Sequence, residues 1–209
     1  MPISDLAKSS QILKDKWNKF INDLPDDNDE KYYADKKKQE QEEQRKEIEK
    51  IVPKLYLSAK IDKSIIINPE DNFYLFGSCG TGKTYYTYAL MIDSIVNKKP
   101  RHTRFYFPDI CNRYKNATFS EKEDIVEQLK KVKRLVFDDL GAEIKTDMTN
   151  ELLNTIINYR IENLLYFSFV SNFSIGKLPY DDRIKSRIAG TVKDNKFEIR
   201  GYDRRINKR

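Results

Sequence analysis

Residues 77–84 read Gly-Ser-Cys-Gly-Thr-Gly-Lys-Thr and lie between an apolar run at residues 73–76 and a helix-like stretch at residues 85–96. In such a strand-loop-helix order, glycines let consecutive backbone N–H groups converge on a phosphate, and the helix N-terminus adds positive charge. Lys83 would reach phosphate oxygens, and the Thr84 hydroxyl would bind Mg²⁺. A glycine-rich turn without a ligand is the alternative. The pattern predicts a nucleoside triphosphate site formed by Gly77, Ser78, Cys79, Gly80, Thr81, Gly82, Lys83, Thr84 and Tyr85.

A second apolar run, at residues 134–137, ends in the acids Asp138 and Asp139. A carboxylate at the end of a strand beside a phosphate loop can hold the water shell of Mg²⁺, and we assign this role to Asp138. A second carboxylate can orient or deprotonate the attacking water, and we assign that role to Asp139. Because Asp-Asp-Leu-Gly is also common turn chemistry, the pair indicates a catalytic site chiefly through the loop upstream.

The composition is typical of one nucleotide-binding domain with an appendage. The 209 residues can bury a substantial core but are too few for two large domains. An apolar run long enough to span a membrane and an apolar signal core are both absent from the sequence, which predicts a cytoplasmic protein. The two cysteines, Cys79 in the loop and Cys111 in a predicted helix, argue against a disulfide framework or a zinc site. His102 follows a basic stretch and is predicted to lie at the surface.

After Pro53 the pattern alternates between strands and helices. Strands are predicted at residues 72–76, 103–107, 134–138, 165–170 and 190–200. Helices are predicted at residues 83–97, 108–115, 120–132, 147–163 and 181–189. This alternation indicates an α/β fold with a mainly parallel sheet between helices and a ligand at the carboxyl ends of the strands.

The first 50 residues are predicted to form a separate helical element. Leu6, Leu13, Trp17, Phe20 and Leu24 recur at helical spacing, whereas residues 30–50 are nearly all charged and predict an exposed helix or a mobile arm. The apolar stripe would dock a partner or fold back on the main core, and the sequence leaves both options open.

The charge is concentrated at the C-terminal end. Residues 183–209 carry 10 Lys or Arg against 3 Asp or Glu, whereas residues 1–50 carry 11 against 13. The basic end can neutralise nucleic-acid phosphates, and a solvated tail without a partner is the alternative.

These motifs together resemble the replicative helicase loaders of the DnaC and DnaI type and the related IstB transposition ATPases, within the AAA+ class. The resemblance covers roughly residues 51–205. It rests on residues 51–59, 77–84, 105–114, 135–143, 171–172 and 182–188, of which Leu-Gly-Ala-Glu after the acid pair and the Arg-x-x-x-Arg helix are the more specific. It implies a P-loop NTPase with an AAA+ core at residues 51–209, preceded by the helical element at residues 1–50.

The resemblance also implies roles for residues outside the two nucleotide motifs. Asn172 matches the polar residue that contacts the γ-phosphate or the attacking water, provided that its strand is central. Arg187 matches an arginine that reaches a neighbouring subunit's nucleotide, with Arg183 one helical turn earlier; DNA binding or solvation is the alternative for both. Arg204 corresponds to a second nucleotide sensor, and the AAA+ lid is absent or reduced. Asp139 stands where Glu is more common, which predicts slow turnover.

Three functions fit this pattern. The first is a helicase loader that binds and hydrolyses ATP with Mg²⁺, self-associates through Arg187, engages single-stranded DNA and grips a replicative helicase through residues 1–50. Its DNA contacts would lie at residues 183–209, with residues 105–114 as a stacking region. The second is an IstB-like transposition ATPase, and the third is a P-loop nucleotide kinase.

Overall fold

The structure is a computed structural model that describes residues 14, 16–17, 30–204 and 206 of the chain. It separates two units, Met1–Lys46 and Glu47–Arg209. The predicted apolar stripe at Leu6, Leu13, Phe20 and Leu24 lies outside the described residues, and its remaining member, Trp17, is exposed. The docking role of residues 1–50 therefore stays a prediction.

The charged segment forms helix α1 (Glu30–Ile51), in which no residue is buried. Its long charged side chains keep their heads in water along the whole helix, and neighbouring turns are linked by pairs such as Lys46–Glu42, at 3.8 Å. Such an exposed pair contributes little to stability, whereas packing reaches the helix at its C-terminal end, where Ile48 and Ile51 lie against a buried apolar cluster.

Five parallel strands form one sheet with the order β2-β3-β4-β1-β5. The strands are β1 (Tyr74–Phe76), β2 (His102–Tyr106), β3 (Arg134–Leu140), β4 (Tyr166–Ser171) and β5 (Lys196–Glu198). The α/β prediction is confirmed, and so is the central position of β4, which lies between β3 and β1. The strands' carboxyl ends therefore bring the phosphate loop, the acid pair and Asn172 to one edge of the sheet.

Helices connect the strands and cover both faces of the sheet. They are α2 (Lys83–Val96), α3 (Phe107–Asn116), α4 (Phe119–Lys131), α5 (Asp147–Glu162) and α6 (Asp182–Val192). Strand residues alternate between the two layers: Phe137 and Phe169 pack with α3 to α6, whereas Val136 and Val170 pack with α2. Because both faces are covered, the central strands carry apolar residues on both faces, as parallel strands usually do.

Two predictions from the sequence are wrong. The strand predicted at residues 190–200 has three residues, because α6 continues to Val192 before the chain turns into β5. His102 is buried rather than at the surface: it begins β2, its Nδ1 lies 2.8 Å from Ser94 Oγ and its Nε2 lies 3.1 Å from the Pro69 carbonyl oxygen. Partners on both ring nitrogens make burial of the imidazole tolerable.

In the described part of the chain, each helix is too short or too polar to cross a membrane.

Candidate nucleotide site

The phosphate loop joins β1 to α2 and has the backbone that its glycines allow. Gly80 and Gly82 have φ angles of 73° and 104°, in the left-handed region that residues with a Cβ seldom adopt. Gly82 is the N-cap of α2, so the helix begins at Lys83 with its N-terminal N–H groups toward the loop. Side-chain contacts brace the turn, since Thr81 Oγ1 donates to the Ser78 carbonyl at 2.9 Å.

Lys83 is buried and folds back over the loop that precedes it. Its Nζ donates to the carbonyl oxygens of Gly77 and Ser78, at 2.8 Å each. These bonds hold the Lys83 ammonium beside the loop. An ammonium has three N–H donors, so it can exchange these carbonyl partners for the oxygens of a bound phosphate. Thr84 follows on the first turn of α2 and lines a cavity together with Lys83.

Asp138 lies at the carboxyl end of β3 and is fully buried. Its Oδ2 accepts from Arg104 Nε at 2.6 Å, and its Oδ1 accepts from the Asp139 N–H at 3.0 Å. Both carboxylate oxygens are thus fixed, one by charge and one by the backbone. Arg104 was missed in the sequence, although a charged residue inside a strand of a buried parallel sheet is itself a signal that an opposite charge lies nearby.

Asp139 and Asn172 meet between the tips of β3 and β4. Asn172 Nδ2 donates to Asp139 Oδ1 at 3.4 Å, and both side chains line the cavity with Lys83. Asp139 has a φ of 57°, which turns its side chain out of the strand immediately after Asp138. Consecutive acids therefore point to different environments, one to the partly buried Arg104 and one to the cavity.

The cavity has a volume of about 530 Å³, within the range of small-ligand sites. One wall is cationic and glycine-rich, and the opposite wall comes from the segment before β1. Tyr85 Oη fixes this segment by donating to the Ser58 carbonyl at 3.2 Å, and Tyr56 stacks on Tyr88 with ring centroids 4.5 Å apart. The lining residues are Leu55, Tyr56, Ser58, Cys79, Gly80, Gly82, Lys83, Thr84, Tyr85, Asp139, Asn172 and Arg204.

The segment after β5 crosses the phosphate loop. The Arg204 N–H donates to the Gly80 carbonyl at 3.0 Å, and its guanidinium Nη2 lies 3.8 Å from Asp62 Oδ2. A Cβ added to Gly82 would lie 3.3 Å from Arg204 Nη1, and one added to Gly80 would collide with the Asp203 carboxylate. The structure thus brings Arg204 to the cavity, whereas the contact of Asp203 was not anticipated.

Arg183 and Arg187 lie on α6 and do not line this cavity. Arg183 is exposed, whereas Arg187 is half-buried and lines a second cavity with Asn72 and Tyr166. Asn72 comes just before β1 and Tyr166 is the first residue of β4, so this second cavity lies at the amino ends of the strands, opposite the phosphate loop. Arg187 Nη1 is buried without a hydrogen-bond partner in the described part of the chain. Arg187 therefore lies away from the candidate nucleotide cavity of its own chain.

The predicted stacking region at residues 105–114 is mostly part of the core. Phe107 is fully buried, and Phe105 and Tyr114 pack against the same apolar cluster. Tyr106 is the exposed aromatic side chain of this segment, because it ends β2 at the edge of the sheet. The prediction that several rings of this segment form a stacking surface is therefore wrong.

The cavity's donor set fits a nucleoside triphosphate with Mg²⁺. The left-handed loop backbone and Lys83 suit phosphates, and the half-buried Thr84 hydroxyl with the Asp138 carboxylate suits a hard cation. In the described residues, a cluster of three or more His, Cys, Asp or Glu that could cage a metal does not occur.

The fold and this site define a P-loop α/β protein of the AAA+ class. A scan of protein-family models and a search of curated proteins find no match. Solved structures do match. The DnaI structure is 30% identical over 64% of this chain and 72% of its own, with a TM-score of 0.53. The DnaC helicase loader is 25% identical over 71% of this chain and all of its own, with a TM-score of 0.51.

A third structure, described as a primosome component of Streptococcus pyogenes serotype M3, is 26% identical over 73% of this chain and 92% of its own, with a TM-score of 0.56. The chain belongs to the DnaC/DnaI-type family of helicase-loader AAA+ proteins. The resemblance found in the sequence is thereby confirmed.

Proposed function

We propose that this protein binds ATP with Mg²⁺ in the cavity between β1, β3 and β4, and hydrolyses it. The observation that carries the proposal is one cavity lined by Lys83, Thr84, Asp139 and Asn172, with the Asp138 carboxylate directly behind. This arrangement supplies a phosphate cradle, a metal ligand and a polar pair for a water molecule. A purely structural glycine turn would not require these groups to converge from three strands.

Each residue has a defined task in the proposed reaction. The loop N–H groups and Lys83 bind and orient the phosphates, and Thr84 and Asp138 hold Mg²⁺, which supplies positive charge to the phosphate oxygens when bound. Asp139 accepts a hydrogen bond from the attacking water, and Asn172 holds the Asp139 carboxylate in place through its amide. The shorter reach of Asp, compared with Glu, supports a slow basal rate.

We further propose that the protein acts as a loader in DNA replication, delivering a replicative helicase that residues 1–50 grip. Membership in the DnaC/DnaI-type family supports this role. Single-stranded DNA would bind the basic end from Arg183 onward, together with exposed Tyr106, Arg113 and Lys115 around α3. Arg187 would act on the nucleotide of a neighbouring subunit when ATP-bound subunits associate.

An IstB-like transposition ATPase shares this site and would differ in its partner. A nucleotide kinase would instead transfer phosphate to a small acceptor. ATP consumption separates them: a loader should respond to single-stranded DNA and helicase, a transposition ATPase to a transposase, and a kinase to a nucleoside panel.

Two substitutions test the nucleotide assignment. Lys83→Ala should abolish measurable ATP binding or hydrolysis, because it removes the charge held at the loop. Asp139→Asn should keep Mg·ATP bound but slow hydrolysis by about tenfold or more, since it removes the charge beside the water. Binding is measured with a fluorescent ATP analogue and turnover by phosphate release.

Lys130→Ala is the matched control, because Lys130 pairs with Glu127 on α4 and does not line the cavity. It should change neither quantity. Unchanged ATP affinity in Lys83→Ala would refute the nucleotide site. A loss of binding in Asp139→Asn as complete as in Asp138→Ala would show that the two acids have been assigned the wrong way round.

A further inference from the structure

Arg104 contacts the buried acid of the site from the neighbouring strand. β2 and β3 pair in parallel with Arg104 beside Val136 and Tyr106 beside Asp138, so Arg104 lies on the same face of the sheet as Asp138, two residues back. Its Nε donates to Asp138 Oδ2 at 2.6 Å, and its side chain is 16% exposed. The carboxylate itself has no exposed surface, so the ion pair is largely shielded from water.

Two aromatic rings hold the guanidinium from its other sides. Its Cζ lies 5.0 Å from the centroid of the Tyr88 ring and 5.9 Å from that of Tyr106, and Nη1 donates to Tyr88 Oη at 3.2 Å. Both distances are within the range of cation–π attraction. Arg104 therefore has a fixed position that does not depend on Asp138 alone.

The same stack continues to the opposite wall of the cavity. Tyr88 packs face to face with Tyr56, at 4.5 Å and 19° between the ring planes, and Tyr56 lines the cavity. A continuous set of contacts thus joins Tyr56 to Asp138 through Tyr88 and Arg104.

A buried carboxylate needs an opposite charge, and two sources are available to Asp138. One is Arg104, which is part of the chain, and the other is the Mg²⁺ that the proposed function requires. Two cations near one carboxylate repel each other, so each lowers the stabilisation that the other gains there. The two sources of charge are therefore partly exclusive.

We propose that Arg104 is a positioning residue that balances and aims the Asp138 carboxylate as a built-in counter-cation, and that its charge limits how strongly the site gains from Mg²⁺. The metal part of this inference rests on the proposed function, whereas the ion-pair part stands on the geometry alone. Substituting Arg104 should lower the thermal stability of the protein without ligand, and it should increase the gain in nucleotide affinity that Mg²⁺ provides. An arginine that only packs between tyrosines would do the first and not the second.

The first experiment is a double-mutant cycle on the full chain without nucleotide, read by thermal unfolding. Arg104→Met keeps the apolar stem and removes the charge, and should lower the midpoint by about 5–10 °C. Asp138→Asn removes the charge that Arg104 balances. The double variant should unfold at a midpoint no lower than that of the less stable single variant, because both substitutions remove the same ion pair. Strictly additive losses would overturn the ion-pair role.

The second experiment compares the affinity for a fluorescent ATP analogue in Mg²⁺ and in EDTA. We take the Mg²⁺ ratio as the dissociation constant in EDTA divided by the dissociation constant in Mg²⁺. This ratio should rise about tenfold or more in Arg104→Met, whereas Arg104→Lys should keep a ratio near that of the unmodified protein because it retains the charge. An unchanged or smaller ratio in Arg104→Met would overturn the metal part. If the unmodified protein binds no nucleotide, the proposed function fails, and the cycle without ligand still decides the ion-pair role.

Arg134→Met is the matched control. Arg134, at the start of β3, has a side chain 14% exposed, pairs with Glu70 at 2.7 Å and lies 4.7 Å over the Tyr166 ring. Like Arg104 it is a mostly buried arginine held by one carboxylate and an aromatic ring, but its partner Glu70 is 45% exposed. It should lower the unfolding midpoint without changing the Mg²⁺ ratio. A ratio that rises equally in both variants would show a general stability effect and overturn the proposal.

Discussion

The largest stability effect is expected at Arg160, which is fully buried on α5. Its Nη1 donates to the carbonyl oxygens of Leu129, at 2.7 Å, and Lys130, at 3.3 Å. Its Nη2 donates to Val132, at 2.7 Å, to Lys133, at 3.3 Å, and to Tyr166. One guanidinium therefore satisfies the carbonyls that the end of α4 leaves without partners and ties them to the start of β4.

Arg160→Met keeps a long apolar side chain and removes every donor. Burial lowers the pKa of Arg160 to about 10, so the group is still charged at neutral pH and part of what its hydrogen bonds contribute is spent on desolvation. Breaking a buried charged network costs about 3–5 kcal/mol. For a protein of this size that lowers the unfolding midpoint by about 2–4 °C per kcal/mol, or about 6–20 °C in total.

The assay is equilibrium unfolding in urea, followed by circular dichroism, with the m-value checked for constancy. Arg200→Met is the control, because Arg200 is 85% exposed and its pair with Glu198 should contribute less than about 1 kcal/mol. Arg160 does not line the nucleotide cavity, so Arg160→Met should still bind the ATP analogue well below its unfolding midpoint. A loss of stability below about 1 kcal/mol would refute the network argument.

Three further predictions follow from individual residues. Burial is the main cause that lowers the pKa of His102, the one histidine of the sequence. The contribution of His102 to the free energy of unfolding should therefore be complete above about pH 6.5 and decrease as the pH drops below that value. In urea titrations at several pH values, His102→Gln should make this decrease smaller. Lys83→Ala protein mixed with Arg187→Ala protein should hydrolyse ATP faster than the sum of both alone when DNA and helicase assemble the subunits; an unmodified rate for Arg187→Ala under the same assembly conditions would contradict action in trans. Affinity for single-stranded DNA should fall steeply with salt, and Tyr106→Ala should weaken it further in anisotropy titrations, whereas indifference to both would count against DNA binding.

The sequence predicted those parts of the fold that local patterns determine. Residues 77–84 identify the loop because its glycine spacing has few other uses, and apolar runs ending in Asp138 or Asn172 mark strands with polar tips. Helix ends were predicted to within about two residues for α2 to α5, since caps such as Thr118 and Thr146 are local signals. The family resemblance rested on the same local phrases.

Contacts between residues far apart in sequence could not be predicted in this way. Arg104 and Asp138 are 34 residues apart and meet only because β2 pairs with β3 in one particular register. His102 was predicted at the surface because its preceding residues are basic, yet its partners Ser94 and Pro69 come from α2 and from the segment before β1. Local composition describes the chain on either side of a residue, whereas burial depends on what the fold packs against it.

The same limitation applies to reading an acid pair as catalytic from its position after a strand. Asp138 and Asp139 are adjacent and chemically alike, but the left-handed φ of 57° at Asp139 sends its carboxylate to Asn172 and the cavity, while Asp138 stays in the sheet facing Arg104. Their different surroundings, rather than their order in the chain, give one carboxylate a fixed cationic partner and the other an amide and solvent. Roles assigned to such a pair should therefore follow the residues contributed by the neighbouring strands. In this protein those residues are Arg104 on one side of β3 and Asn172 on the other, and they are the basis on which we propose metal binding for Asp138 and water orientation for Asp139.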